Sequence, residues 1–130
     1  MTGPRGQAER VNVLVVEDSD DQRHLIRRHF ELAGCDVVVA DSAESAIVAY
    51  EELAPDLAVI DLLLPGMNGW DLAERIQSDR PDCAVAISSV LDTGDYPASE
   101  AVLPKPVTRA SVRAVLRRTV PRWVAPGPRS

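Results

Sequence analysis

The sequence predicts a doubly wound α/β fold, a five-stranded parallel sheet with helices on both faces. Three observations predict it. Short β-branched runs alternate along the chain with segments of helical periodicity. The runs are apolar almost throughout, as strands buried on both sides must be. The chain has 130 residues, 45% apolar and 26% charged, which suffices for one such layered domain and not for two.

The elements follow in order. Residues 1–10 are polar with Gly and Pro, and read as a flexible N-terminal segment ahead of a domain spanning 11–120. Val11-Asn12-Val13-Leu14-Val15-Val16 is the first strand. Ser19 and Gln22, three apart, form a capping-box pattern for a helix that turns Leu25, Ile26, Phe30 and Ala33 inward and stops at Gly34. Val37-Val38-Val39-Ala40 is the second strand. Asp41 with Glu44 is expected to cap a helix through about Leu53, with Ala43, Ala46, Ile47 and Tyr50 inward. Leu57-Ala58-Val59-Ile60 follows the break at Pro55 as the third strand. Pro65 to Gly69 is turn chemistry, and a third helix runs from about Trp70 to Ser78, burying Leu72, Ala73 and Ile76. Cys83 to Ile87 is a fourth strand, and Ala101-Val102-Leu103 a short fifth whose Pro104 suits a sheet edge. The last helix spans about Thr108 to Val120, with Val112, Val115, Leu116 and Thr119 on one face. Pro121 ends it, leaving 121–130 as a flexible C-terminal tail.

Composition excludes several functions. Aromatic residues are only 4%, too few for a platform that stacks single-stranded nucleic acid. No apolar run approaches the roughly 20 residues of a membrane span, and the first ten residues lack a signal-peptide core. Cys35 and Cys83 fit neither a disulfide framework nor a zinc site, so a cytoplasmic location is expected. A net charge of -6 argues against general affinity for phosphate backbones. That charge is unevenly spread. Residues 104–130 contain six arginines, Lys105 and no acid, and Lys105 is the only lysine in the chain. A compact ammonium on a flexible stem suits one small anion.

In doubly wound folds, functional groups gather beyond the carboxyl ends of the strands. Glu17 and Asp18 follow strand one, Asp61 strand three, Ser88 and Ser89 strand four, and Lys105-Pro106 strand five. Three carboxylates, a hydroxyl and the sole ammonium converge on one rim. Clustered carboxylates repel unless a cation joins them, and hard oxygen donors suit Mg²⁺. Asp61 is placed to act as a nucleophile toward a phosphoryl group, with Lys105 and the Ser88 hydroxyl able to bind phosphoryl oxygens.

Over about residues 11–120, these features resemble the receiver domain of two-component response regulators, CheY-like proteins. The match is carried by Val15-Val16-Glu17-Asp18, by Asp61 with Leu64-Pro65-Gly66-Met67-Asn68-Gly69, by Ser88, and by Lys105-Pro106. The resemblance implies a flavodoxin-like strand order 2-1-3-4-5. It also implies that Asp61 accepts a phosphoryl group from a sensor histidine kinase, a phosphotransfer protein or a small phosphodonor. Asp18, Asp61 and the backbone carbonyl of Leu63 would bind Mg²⁺ directly, Glu17 mainly through a water, and the Lys105–Pro106 bond would be cis.

Three departures stand out. The stretch from Ser88 to Lys105 is about a helical turn short or more, so the family's fourth helix is expected to be shortened or missing. The aromatic switch position falls on Val102. The residues two beyond Asp61 and Ser88 are Leu63 and Val90, apolar groups that cannot orient a water, which implies slow self-dephosphorylation.

Two functions therefore compete. One is a stand-alone receiver in a phosphorelay, phosphorylated on Asp61 with Mg²⁺ and read out by a downstream protein, by its own homodimer or by onward phosphotransfer. The alternative is a phosphorylation-independent receiver acting as a protein interaction module. A Mg²⁺-dependent phosphatase ranks last, because Leu63 stands where a second catalytic acid is needed. Neither leading reading makes the chain an enzyme beyond its own phosphorylation and dephosphorylation, and neither invokes direct nucleic-acid or membrane contact. His24 and His29 lie away from the rim, Trp70 reads as packing, and Arg109, Arg113 and Arg117 form a basic stripe that is solvated or faces an acidic partner.

Overall fold

The computed structural model describes residues 10–62, 64, 68–88 and 101–126. In chain order these form β1 (Asn12–Val16), α1 (Asp20–Leu32), β2 (Asp36–Ala40), α2 (Ala43–Glu52), β3 (Leu57–Ile60), α3 (Gly69–Asp79), β4 (Ala84–Ile87), β5 (Ala101–Val102) and α4 (Arg109–Thr119). The five strands are parallel and lie in the order β2-β1-β3-β4-β5. The flavodoxin-like order expected from the sequence is the one observed. The shortened fourth helix was expected within 89–100, which lie outside the described residues, as do Leu63, Val90 and the N-terminal residues 1–9.

Alternation along each strand divides the interior into two layers. Val13, Val15, Leu57, Val59 and Ala86 face α1 and α4, meeting Ile26, Phe30, Val112, Val115 and Leu116. Leu14, Val16, Ala58, Ile60, Val85 and Ile87 face α2 and α3, meeting Ala46, Tyr50, Leu72 and Ile76. β1, β3 and β4 are thus buried on both sides, which explains why their sequences show no polar alternation. At the sheet edge, β2 is only half-buried over Val37–Val39.

Side-chain oxygens fix the helix starts. Ser19 accepts from the Gln22 N–H, Asn68 from the Asp71 N–H at 2.9 Å, and Thr108 from the Ser111 N–H at 3.0 Å. Each such cap is worth about 1 kcal/mol. Gly34, at φ 89°, ends α1 in the left-handed region.

Three expectations are corrected. Ser42, not Asp41, caps α2, because Ser45 at the third position returns a hydrogen bond to the Ser42 N–H; Asp41 instead accepts from the Ser45 hydroxyl at 3.2 Å. Leu25 is 37% exposed, since it sits about 100° around α1 from the buried Ile26. Residues 121–126 belong to the folded body rather than to a flexible tail. Trp123 is buried, its indole N–H donates to the Ala33 carbonyl at 2.9 Å, and the Arg117 guanidinium lies 5.7 Å from its ring centroid. Arg122 adds bonds to the Asp56 carboxylate and the Arg10 carbonyl.

Trp123→Ala should lower stability by about 3 kcal/mol, read as a reduced urea midpoint. Cys35 and Cys83 form no disulfide and are buried in opposite layers, and burial pushes the Cys35 thiol up to about 12. A maleimide at pH 8 should therefore label neither thiol in the native protein and both in urea, as counted by intact mass.

Candidate functional site

Backbone pairing continues past the strand ends and delivers the polar residues to one rim. The Glu17 N–H donates to the Ala40 carbonyl at 3.0 Å, Asp61 to Val16 at 3.0 Å, Ser88 to Ile60 at 2.9 Å, and Leu103 to Ile87 at 2.7 Å. Because Val16 lies opposite Ile60 in the β1–β3 register, Glu17 and Asp61 emerge side by side. Lys105 arrives from beyond β5, two residues after Leu103 and just before a cis bond to Pro106. The cis bond expected from the sequence is present.

The Lys105 ammonium donates to Glu17 Oε1 at 2.7 Å and to Asp61 Oδ2 at 3.2 Å. Glu17 is 1% exposed, and its other oxygen accepts from the Ser19 N–H at 3.0 Å. Burial raises the Glu17 carboxyl above the usual range, and the Asp61 charge works the same way; the Lys105 and Ser19 hydrogen bonds act against both. Burial alone would lower the Lys105 ammonium, but the hydrogen bond to Glu17 and the Asp61 charge outweigh it and raise it. The two shifts describe one coupled unit in which a single cation is held by two acids.

Asp18 is exposed beside this pair. Carboxylate oxygens of Glu17, Asp18 and Asp61 all lie within 4.8 Å of one another. Three acids against one ammonium leave net negative charge in a small volume, and an all-oxygen donor set is what a hard divalent ion such as Mg²⁺ takes. The residues present fit that ion. The expected carbonyl ligand, Leu63, lies outside the described residues.

Ser88 completes the rim. Its residue is 1% exposed, and its hydroxyl has no hydrogen-bond partner among the described residues. A buried hydroxyl left unsatisfied costs about 1–3 kcal/mol, so its position asks for an acceptor that arrives from outside. Val102, where the sequence places the family's aromatic switch position, is half-buried. A separate cavity of about 630 Å³ lies away from the acids, between β5 and α4, lined in part by Val102, Pro104, Val115 and Arg118.

Two contributors were not legible as site residues. Gly69 opens α3 directly beneath Asp61, where a Cβ would lie 2.5 Å from the Asp61 carbonyl oxygen and 2.5 Å from the Leu62 Cα. The turn pattern around Gly69 was readable, but not the close approach that requires glycine. Arg23 on α1 donates to the Glu17 carbonyl at 3.0 Å, a contact to backbone that no residue pattern announces.

Comparison with known proteins agrees with this geometry. The family model described as "Response regulator receiver domain" matches residues 13–117. The DNA-binding response regulator MtrA of Mycolicibacterium smegmatis is 34% identical over 86 residues, 66% of this chain and 38% of MtrA. A cyclic di-GMP phosphodiesterase of Thermotoga maritima is 33% identical over 82 residues, 63% of this chain and 22% of that protein. The chain thus spans well under two thirds of these curated relatives. Among solved structures, the signal receiver domain of a putative LuxO repressor protein from Vibrio parahaemolyticus superposes with a TM-score of 0.78 at 25% identity, covering 87% of this chain and 92% of that one.

Gly69→Ala should force Asp61 out of register with β1, lowering stability by about 1–3 kcal/mol. Urea denaturation followed by far-UV circular dichroism measures the loss.

Proposed function

This chain belongs to the response regulator receiver domain family of two-component systems, and on that premise we propose that it is a phosphoacceptor switch. Asp61 is the acceptor, and the signal leaves through altered protein contacts. The observation that carries this reading is the Lys105 ammonium bonded to Asp61, beside an acid cluster fit for Mg²⁺.

In the proposed transfer, an Asp61 carboxylate oxygen attacks the phosphorus of a phosphohistidine or small phosphodonor. The bond from phosphorus to the leaving atom breaks, and its electron pair stays with that atom, which takes up a proton when it is a histidine nitrogen. Asp18 and Asp61, with Glu17 behind them, would hold Mg²⁺, which supplies charge neutralisation at the phosphoryl oxygens. Lys105 binds a phosphoryl oxygen through a charge-assisted hydrogen bond, and the unpaired Ser88 hydroxyl donates to another. The protein's part is positioning and electrostatics on a rigid rim. The chain is then no enzyme beyond its own phosphorylation and dephosphorylation.

The upstream partner in this reading is a sensor histidine kinase or a phosphotransfer protein, and the setting is cytoplasmic. The described residues contain no helix long and apolar enough to cross a membrane. Downstream lies a protein target or a second copy of the chain. The half-buried, apolar Val102 favours a second reading, an interaction module that does not use phosphorylation, because no aromatic ring there can follow Ser88 inward.

One experiment separates the two. Incubation with Mg²⁺ and acetyl phosphate should add one phosphoryl mass to the wild type and none to Asp61→Asn, by intact mass spectrometry. No adduct under any condition would put the interaction module ahead. Leu63 and Val90 cannot orient an attacking water, so the adduct should decay over many minutes or longer; a half-life of seconds would contradict that part.

A further inference from the structure

The acidic loop between β1 and α1 has an internal brace. Asp18, its most exposed acid, makes no side-chain hydrogen bond or ion pair among the described residues. Glu17 is held by Lys105 and by the Ser19 N–H. The position of Asp18 therefore depends on the backbone that carries it. Arg23 holds that backbone at the Glu17 carbonyl and pairs with the Asp20 side chain at the start of α1. One arm of its guanidinium donates to the Glu17 carbonyl at 3.0 Å, and the other pairs with the Asp20 carboxylate. The side chain is only 17% exposed, so its stem is packed and its fork is fixed.

We infer that Arg23 is a positioning residue that pre-organises Glu17 and Asp18 for a divalent cation. This inference rests on the reading of the rim as a Mg²⁺ site. Arg23 touches neither the cation nor the phosphoryl group in this account; it acts through the loop backbone. Its guanidinium is the right group because two donors in a rigid fork can hold a carbonyl and a carboxylate at once, which a lysine ammonium does less precisely.

The sign of the effect separates positioning from electrostatics. Removing a positive charge near a cation site should tighten cation binding if charge alone mattered. Removing a brace should loosen it, since the loop must then be ordered when the ion binds. Loss of groups that orient metal ligands from behind typically weakens binding about 10–100-fold.

The test is calorimetric titration of the full chain with MgCl₂ alone, for wild type, Arg23→Ala and Arg23→Lys, with folding checked by circular dichroism. The expected result is wild-type binding, a dissociation constant raised about 10-fold in Arg23→Ala, and only partial recovery in Arg23→Lys. Unchanged or tighter binding by folded Arg23→Ala would overturn the inference, as would full recovery by Arg23→Lys, which would show that the loop does not need the guanidinium fork. Should Arg23→Ala fail to fold, Arg23→Lys decides alone: weakened binding supports the brace and wild-type affinity overturns it. A wild type that binds no Mg²⁺ overturns the metal-site reading itself, and the brace with it, which is a different result from a binding wild type with an unaffected variant.

Discussion

One ammonium shared by two acids holds the rim together. Lys105 lies 2.7 Å from Glu17 and 3.2 Å from Asp61, and both carboxylates are buried. Without that cation, two like charges would sit side by side at the ends of β1 and β3 in a medium that screens poorly. Breaking a buried pair by removing one partner leaves the other charge uncompensated, which is far costlier than losing a surface pair. The constraint reaches into the fold. Glu17, Asp61 and Lys105 come from three strand ends, so they meet only if the β1–β3 and β4–β5 registers are correct. A slip of one residue would turn Asp61 toward the opposite sheet face. The continuous apolar layers on both faces, each closed by two helices, are what hold that register.

Those layers explain why the rim can be rigid while its loops are short. Glu17, Asp61 and Ser88 each directly follow a fully buried strand-end residue. Asp61 follows Ile60 directly, Ser88 follows Ile87, and Glu17 follows Val16. Opposite the rim, Trp123 ties α4 to the C-terminal end of α1 through the Ala33 carbonyl. The helices of that layer are therefore joined at the end remote from the rim.

Much of this was legible because it is local or periodic. Apolar β-branched runs marked β1, β3 and β4, and the acids at their ends followed from the topology alone. Ser19 was readable as a cap because its partner, Gln22, lies three residues on. The misses share a physical cause, which is that they turn on contacts distant in sequence or on choices between near-equals. Asp41 and Ser42 are both good caps, and the reciprocal bond from Ser45 decides between them. Leu25 lies at the margin of the α1 apolar stripe, where periodicity cannot say which side is covered. Trp123 sits in Pro- and Gly-rich sequence that looks like a tail, yet its indole finds a carbonyl 90 residues away. Gly69 and Arg23 matter through contacts with the backbone of other segments, which no residue pattern records.

The unpaired Ser88 hydroxyl sets the scale of any switch built on this rim. A ligand shifts a two-state equilibrium only by its differential interaction with the two states. A phosphoryl group on Asp61 would offer the hydroxyl a charged acceptor that the unmodified site lacks. A hydrogen bond to a charged group contributes about 1.5–3 kcal/mol, or roughly a ten- to hundredfold shift in population. An aromatic partner moving with the hydroxyl would add burial of its ring, but position 102 is a half-buried valine with far less area to gain. Ser88 and Lys105 must then supply most of the bias between states. A readout that needs only a tenfold change in contact affinity is compatible with that, whereas a near-complete two-way switch, which requires about 5.5 kcal/mol, would need a further contribution from a bound partner.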